Sequence, residues 1–192
     1  MFSSRIVSFF LVFLTLGLVS FANPIAAPGN EVVKRQQADS IEAVLANLKA
    51  STDSILPQID ALADSGSVTD ADVAPLITQL TDAFTVANDD LVAFNSKGGD
   101  GKPHNKDELA KVIAGILIVL VKTINKLFLI GIIKLPIVAG LLITLQIIVN
   151  KLLLSVELLL AGVLKLVAIL LVDVAILLKQ ISWGLILATL GF

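Results

Sequence analysis

Leu109–Ile133 reads LAKVIAGILIVLVKTINKLFLIGII, and after Lys134-Leu135 the segment from Pro136 continues PIVAGLLITLQIIVNKLLLSVELLLAGVLKLVAILLVDVAILLK to Lys179. Leu, Ile and Val dominate, and apolar residues fall on nearly every helical face. Runs of this length are helical, because strands seldom pass ten residues. Three helical segments are expected, at about 107–134, 137–160 and 161–190. The abundance of Ile and Val leaves a β-rich aggregated state as the competing conformation.

Working outward, residues 109–192 carry 7 lysines against 2 acids, a net of +5, with nine charges in 84 residues. That is less than half the charge density of an ordinary domain. Residues 36–108 carry 13 acids against 4 lysines, a net of −9. The whole chain has 192 residues, 56% of them hydrophobic, and a formal net charge of −2. With no cysteine and a single histidine, His104, disulfide frameworks, thiolate chemistry and multi-histidine metal sites are excluded. The charge balance gives no reason to expect nucleic acid as a partner.

In the acidic half, Ile41, Val44, Leu45, Leu48, Ile55, Ile59 and Leu62 mark one face of a helix, and Val73, Leu76, Ile77, Leu80, Phe84, Ala87 and Leu91 mark a second. Pro57 is expected to kink or split the first helix near Leu56. Ser65-Gly66-Ser67 stops it, and Thr69-Asp70-Ala71-Asp72 supplies capping and acidic residues at the second start. Two such helices bury too little surface to stand alone. Their apolar faces therefore need a partner, either each other plus the second half or an external surface. The sequence between them and the oily half, 97–106, is a glycine-rich linker containing His104, read as a solvated residue. Lys97-Gly98-Gly99-Asp100-Gly101-Lys102 lacks both the spacing of a phosphate loop and the carboxylate pattern of a calcium loop.

The amino terminus reads as processing signals. Arg5 precedes the apolar run Ile6–Phe21, and Ser20-Phe21-Ala22 offers small residues for signal peptidase. Residues 1–22 are assigned as a signal peptide, with an N-terminal anchor as the alternative. Residues 23–35 are a propeptide ending at the dibasic Lys34-Arg35, for which two solvated loop charges are the alternative.

The expected domain plan is thus 1–22, 23–35, an acidic amphipathic region 36–96, the linker 97–106 and a hydrophobic region 107–192. The fold class is all-α: an amphipathic helical hairpin joined to a bundle of long, very hydrophobic helices. Ala114-Gly115, Ala139-Gly140 and Ala161-Gly162 read as small residues that let helices approach closely. Lys151, Lys165 and Lys179 are spaced by fourteen, and Lys122 keeps phase with them. On a continuous helix they form a thin lysine line along an apolar surface, suited to an interface. Scattered solubility charges on a buried bundle are the competing account. Trp183 is included with these four lysines as an interface residue. Glu157 and Asp173, eight residues either side of Lys165, are poorly phased as its ion-pair partners.

Bilayer insertion is finely balanced. Val112–Ile133 contains fifteen Leu, Ile, Val or Phe residues, each worth roughly −0.3 to −0.6 kcal/mol, while Lys122 and Lys126 each cost up to about 3 kcal/mol near the centre.

This layout resembles the secreted, cysteine-free amphipathic cell-wall and aerial-hypha proteins of mushroom-forming fungi. The stretches Val44-Leu45-Ala46-Asn47-Leu48 and Ser54-Ile55-Leu56-Pro57-Gln58-Ile59 share in the likeness. The resemblance implies a structural role: coating hyphae, lowering surface tension, supporting aerial hyphae and attaching to hydrophobic solids. It implies no catalytic residues and no cofactor. The absence of cysteine separates the chain from hydrophobins, which depend on eight. The reading is a secreted structural amphiphile of the cell wall and medium, with self-association, hydrophobic surfaces and cell-wall polymers as partners. Two alternatives stay open: an integral membrane protein with an extracellular acidic domain, and a hydrophobic-surface-binding module that recruits a hydrolase.

Overall fold

The first helix, α1 (Ile41–Asp64), begins where Ser40 accepts the Ala43 N–H at 3.2 Å, and buries the apolar row read from its spacing except Leu62, which is half-buried while Ala63 takes the core position. The gap in that row between Leu48 and Ile55 is filled by Thr52, buried with its hydroxyl donated to the Lys49 carbonyl at 2.9 Å. Pro57 does not split α1, which runs on to Asp64. Pro57 removes the donor for the Asp53 carbonyl, but both residues lie on the exposed side, where water can serve that oxygen. Helix α2 (Asp70–Ser96) starts at Thr69, whose N–H and hydroxyl both donate to the Asp72 carboxylate. Its buried row is Val73, Ile77, Leu80, Phe84, Ala87 and Leu91.

The computed structural model describes residues 40–66, 68–98, 103–131 and 136–192. The signal and propeptide assignments, including Ala22, Lys34 and Arg35, fall outside the described residues. All regular structure among the described residues is helical. After the linker come α3 (Lys106–Leu129) and α4 (Pro136–Leu159), each of 24 residues. The expected third long helix is instead broken into α5 (Val163–Leu171), a 3₁₀ turn (Val172–Val174), α6 (Ala175–Gln180) and α7 (Gly184–Leu190). Two left-handed residues make the corners: Gly162 at φ +92° before α5 and Ser182 at φ +62° before α7. Glycine takes that conformation without the steric penalty a Cβ would bring.

Two ties show how the halves align. His104 meets Glu42 at the start of α1 and α3, and Lys126 meets Asp64 at their ends, with the same separation of 62 residues in both pairs. Helices α1 and α3 are therefore parallel and in register. Phe84 and Leu152 line one small central void, and one turn further on Ser155 donates to Asn88 at 2.9 Å, so α2 and α4 also run the same way. The acidic hairpin α1–α2 thus lies alongside α3 and α4, with α1 packed on α3 and α2 on α4. On the other side, α5 packs mainly on α3 and also on α4, and α7 packs on α4. Thr189 of α7 donates to Asn150 of α4. Leu45, Leu48, Phe84, Ile113, Ile116, Leu117, Leu152 and Leu153 surround the central void, about 10 Å³, at the lower limit for one water. The two halves thus share a single core.

The Ala-Gly pairs do not mark close approaches. A Cβ built on Gly115 or Gly140 meets nothing within 4 Å. Substituting Ala at these two helical positions should therefore stabilise the protein by about 0.5–1 kcal/mol each, read by urea unfolding with the sole tryptophan as reporter. In the same assay Phe84→Ala should cost about 3–5 kcal/mol.

Candidate functional site

Sixteen large apolar side chains are exposed among the described residues; α1 has none, α2 has two, and the other fourteen lie beyond residue 118. Contiguous apolar surface on a soluble chain marks an interaction face, so this distribution locates it in the second half. On α4 the exposed residues Ile143, Ile147, Leu154 and Leu158 follow spacings of four, seven and four, which put them on one side of the helix. Lys151 falls in the middle of that row and is exposed. A second row continues from α5 through the 3₁₀ turn into α6: Lys165, Ile169, Val172, Ile176 and Lys179, spaced four, three, four and three, all exposed. Leu158 is 72% exposed and Ile176 is 76% exposed, so these are open surfaces rather than the rims of core positions. Since α5 packs on α4, the rows occupy neighbouring helices.

The predicted interface residues divide. Lys122, Lys151, Lys165 and Lys179 are all exposed, but they sit on four different helices, α3, α4, α5 and α6. The single lysine line required a continuous helix, and the breaks at Gly162 and at the 3₁₀ turn remove it. What replaces it is local: one lysine within the α4 row and one at each end of the α5–α6 row. Trp183 is a correction of a different kind. It is 3% exposed and belongs to the core, so it is not a surface residue of the folded chain. An indole is large enough to gain more from burial than its N–H loses, and the turn at Ser182 places it inside.

Polar ties close the seam between α1 and α3 and the α4–α5 corner. The side chain of His104 is 10% exposed and its Nδ1 lies 2.7 Å from Glu42, so it anchors the linker to α1 instead of standing in solvent. Burial works to raise the Glu42 pKa, but the His104 hydrogen bond, the backbone and the nearby imidazole outweigh it and hold the carboxyl below the usual range. Its own bond to Asp64 holds the Lys126 ammonium above the usual lysine value, with the charges of Asp64 and Asp60 adding to it. Lys106 donates to the Ala161 carbonyl at 2.9 Å, fastening the α4–α5 corner to the start of α3. Glu157, read only as a poor partner for Lys165, has a clear role: its two oxygens accept the N–H groups of Gly162 and Leu164 at 2.7 and 2.9 Å. It caps α5 in place of the side chain that Gly162 lacks.

Among the described residues no group of three metal-ligating side chains is close enough to hold an ion. By length and composition, α3 and α4 could each cross a membrane, and 50% and 39% of their apolar windows are already buried inside the bundle. The exposed remainder is what is free to meet an external apolar phase.

No family model matches the chain. Over 90 residues it is 41% identical to fruiting body differentiation protein 16 of Flammulina velutipes, an alignment covering 46% of this chain and 69% of that protein.

Two outcomes test the polar ties. Glu157→Ala should cost about 1–2 kcal/mol and raise hydrogen exchange of the α5 amides selectively. Glu42 binds its proton more weakly in the folded chain than in the unfolded one. Its contribution is present above the unfolded pKa and is lost as pH falls through the folded one, below about pH 4. Glu42→Gln should therefore melt with less acid sensitivity than the parent between about pH 5 and 3, a small difference because the carboxylate is half exposed.

Proposed function

This chain belongs to the family of fruiting body differentiation protein 16, and on that premise we propose that it is a secreted, non-enzymatic structural amphiphile of the fungal cell wall. In this reading it acts during fruiting-body development by adsorbing where a hydrophobic phase meets water, on aerial hyphae and on hydrophobic solids. The observation that carries the proposal is the pair of exposed apolar rows on α4 and on α5–α6, set against an acidic hairpin that exposes no large apolar side chain on α1. The relative's name supports a developmental role, and the apolar run at Ile6–Phe21 supports secretion.

The physics is that of a two-faced particle. Nine acids and one lysine between Ile41 and Ser96 keep the hairpin hydrated. Covering a few hundred Å² of apolar surface at about 25 cal/mol per Å² gives roughly 5–10 kcal/mol, enough for strong adsorption without unfolding. Self-association through the same rows is the alternative way for the chain to cover them.

The test is surface activity of the purified chain. It should lower the surface tension of water and bind Teflon. Ile143→Ser, Leu158→Ser, Ile169→Ser and Ile176→Ser together should cut that binding at least several-fold while circular dichroism stays helical. A folded chain that leaves surface tension unchanged and ignores Teflon would contradict the proposal.

A further inference from the structure

The lysines in the apolar rows make a distinction that hydrophobicity alone does not. An air or polymer surface has no use for fixed cations, and each exposed ammonium in the row opposes adsorption there by demanding water. On α4, Lys151 sits between Ile147 and Leu154; on α5–α6, Lys165 and Lys179 bracket Ile169, Val172 and Ile176. None of the three lysines pairs with a carboxylate among the described residues. The acids nearest in sequence are Glu157, engaged with the Gly162 and Leu164 amides, and Asp173, which is exposed beside Val172. Lys165 and Lys179 stand on either side of the 3₁₀ turn, one at each end of the α5–α6 row. Exposed apolar residues flanked by lysines suit a segment lying at a lipid headgroup layer, with the apolar residues dipping under the phosphates and the long lysine stems reaching back to them.

We infer that the exposed rows of α4 and α5–α6 dock on an anionic phospholipid membrane, lying on the bilayer and not crossing it. Charge complementarity selects this occupant: the docking rows carry unpaired cations, while the hairpin, with nine acids to one lysine, is repelled and faces the water. A peripheral pose follows from the packing, since the inward sides of α3 and α4 are already taken by α1 and α2. The inference deepens the amphiphile reading and uses the same rows.

The test is flotation of the full chain with vesicles of phosphatidylcholine alone and of phosphatidylcholine with about one-third phosphatidylserine. Each lysine near an anionic surface contributes roughly fivefold in affinity. Binding to the anionic vesicles should exceed that to neutral ones at least tenfold, and should fall back toward the neutral level in about 0.5 M salt. K151Q/K165Q/K179Q should lose most of the preference but still adsorb to Teflon. Equal binding to both vesicles, or none to either by a chain that still lowers surface tension, overturns the lipid inference and leaves the amphiphile reading standing. Loss of surface activity with anionic binding retained does the reverse. Release of the bound chain by alkaline carbonate is expected, and retention as a spanning protein would overturn the peripheral pose. The salt comparison uses the unmodified chain and so does not depend on how the triple variant folds.

Discussion

Burial of the inward sides of α3 and α4 against the acidic hairpin is the constraint from which the rest follows. Each of the four long helices has an apolar side that cannot be satisfied alone. Leu45, Leu48 and Phe84 from the acidic hairpin meet Leu and Ile side chains of α3 and α4 around a central void that barely admits a water. The parallel register of α1 with α3 lets two modest polar contacts, His104 with Glu42 and Lys126 with Asp64, close both ends of that seam. Once the inward sides are spent on one another, the composition of α4 through α6 leaves no polar residues for much of their outer surface. The apolar rows are the consequence of too few charges spread over too many helical faces.

Legibility in the sequence tracks contrast. In α1 and α2, apolar positions alternate with Asp, Ser, Thr and Gln at helical spacing. Ile41, Val44, Leu45, Leu48, Val73, Ile77, Leu80 and Phe84 could therefore be read as core, and the structure buries them. In the oily half that contrast is absent. Nothing in the residue types separates Ile147, which is exposed, from Val149, which is buried. The lysines were the usable markers, because an ammonium must reach water, and Lys122, Lys151, Lys165 and Lys179 all do. Their alignment was not legible, since it assumed a continuous helix through Gly162. Trp183 was misplaced for the same reason: its burial depends on the left-handed turn at Ser182, and serine carries no signal for that turn.

Roles that depend on chain reversal were also hidden. Glu157 caps amides five and seven residues ahead, a reach that needs the corner at Gly162 and matches no local capping spacing. His104 read as linker because its partner, Glu42, is 62 residues away. The contrast between the two segments was visible from charge alone: a net of −9 in one and +5 in the next. What charge could not show is that the two segments share one core.

Hydroxyl-radical footprinting of the chain free in water and adsorbed on Teflon particles tests this account most directly, because it reads side-chain exposure residue by residue. Ile143, Ile147, Leu154, Leu158, Ile169 and Ile176 should become protected on adsorption, while Phe84 and Leu120 stay protected throughout and the outer side of α1 remains reactive. Protection of the α1 and α2 outer faces, or new labelling of Phe84 and Leu120, would contradict it.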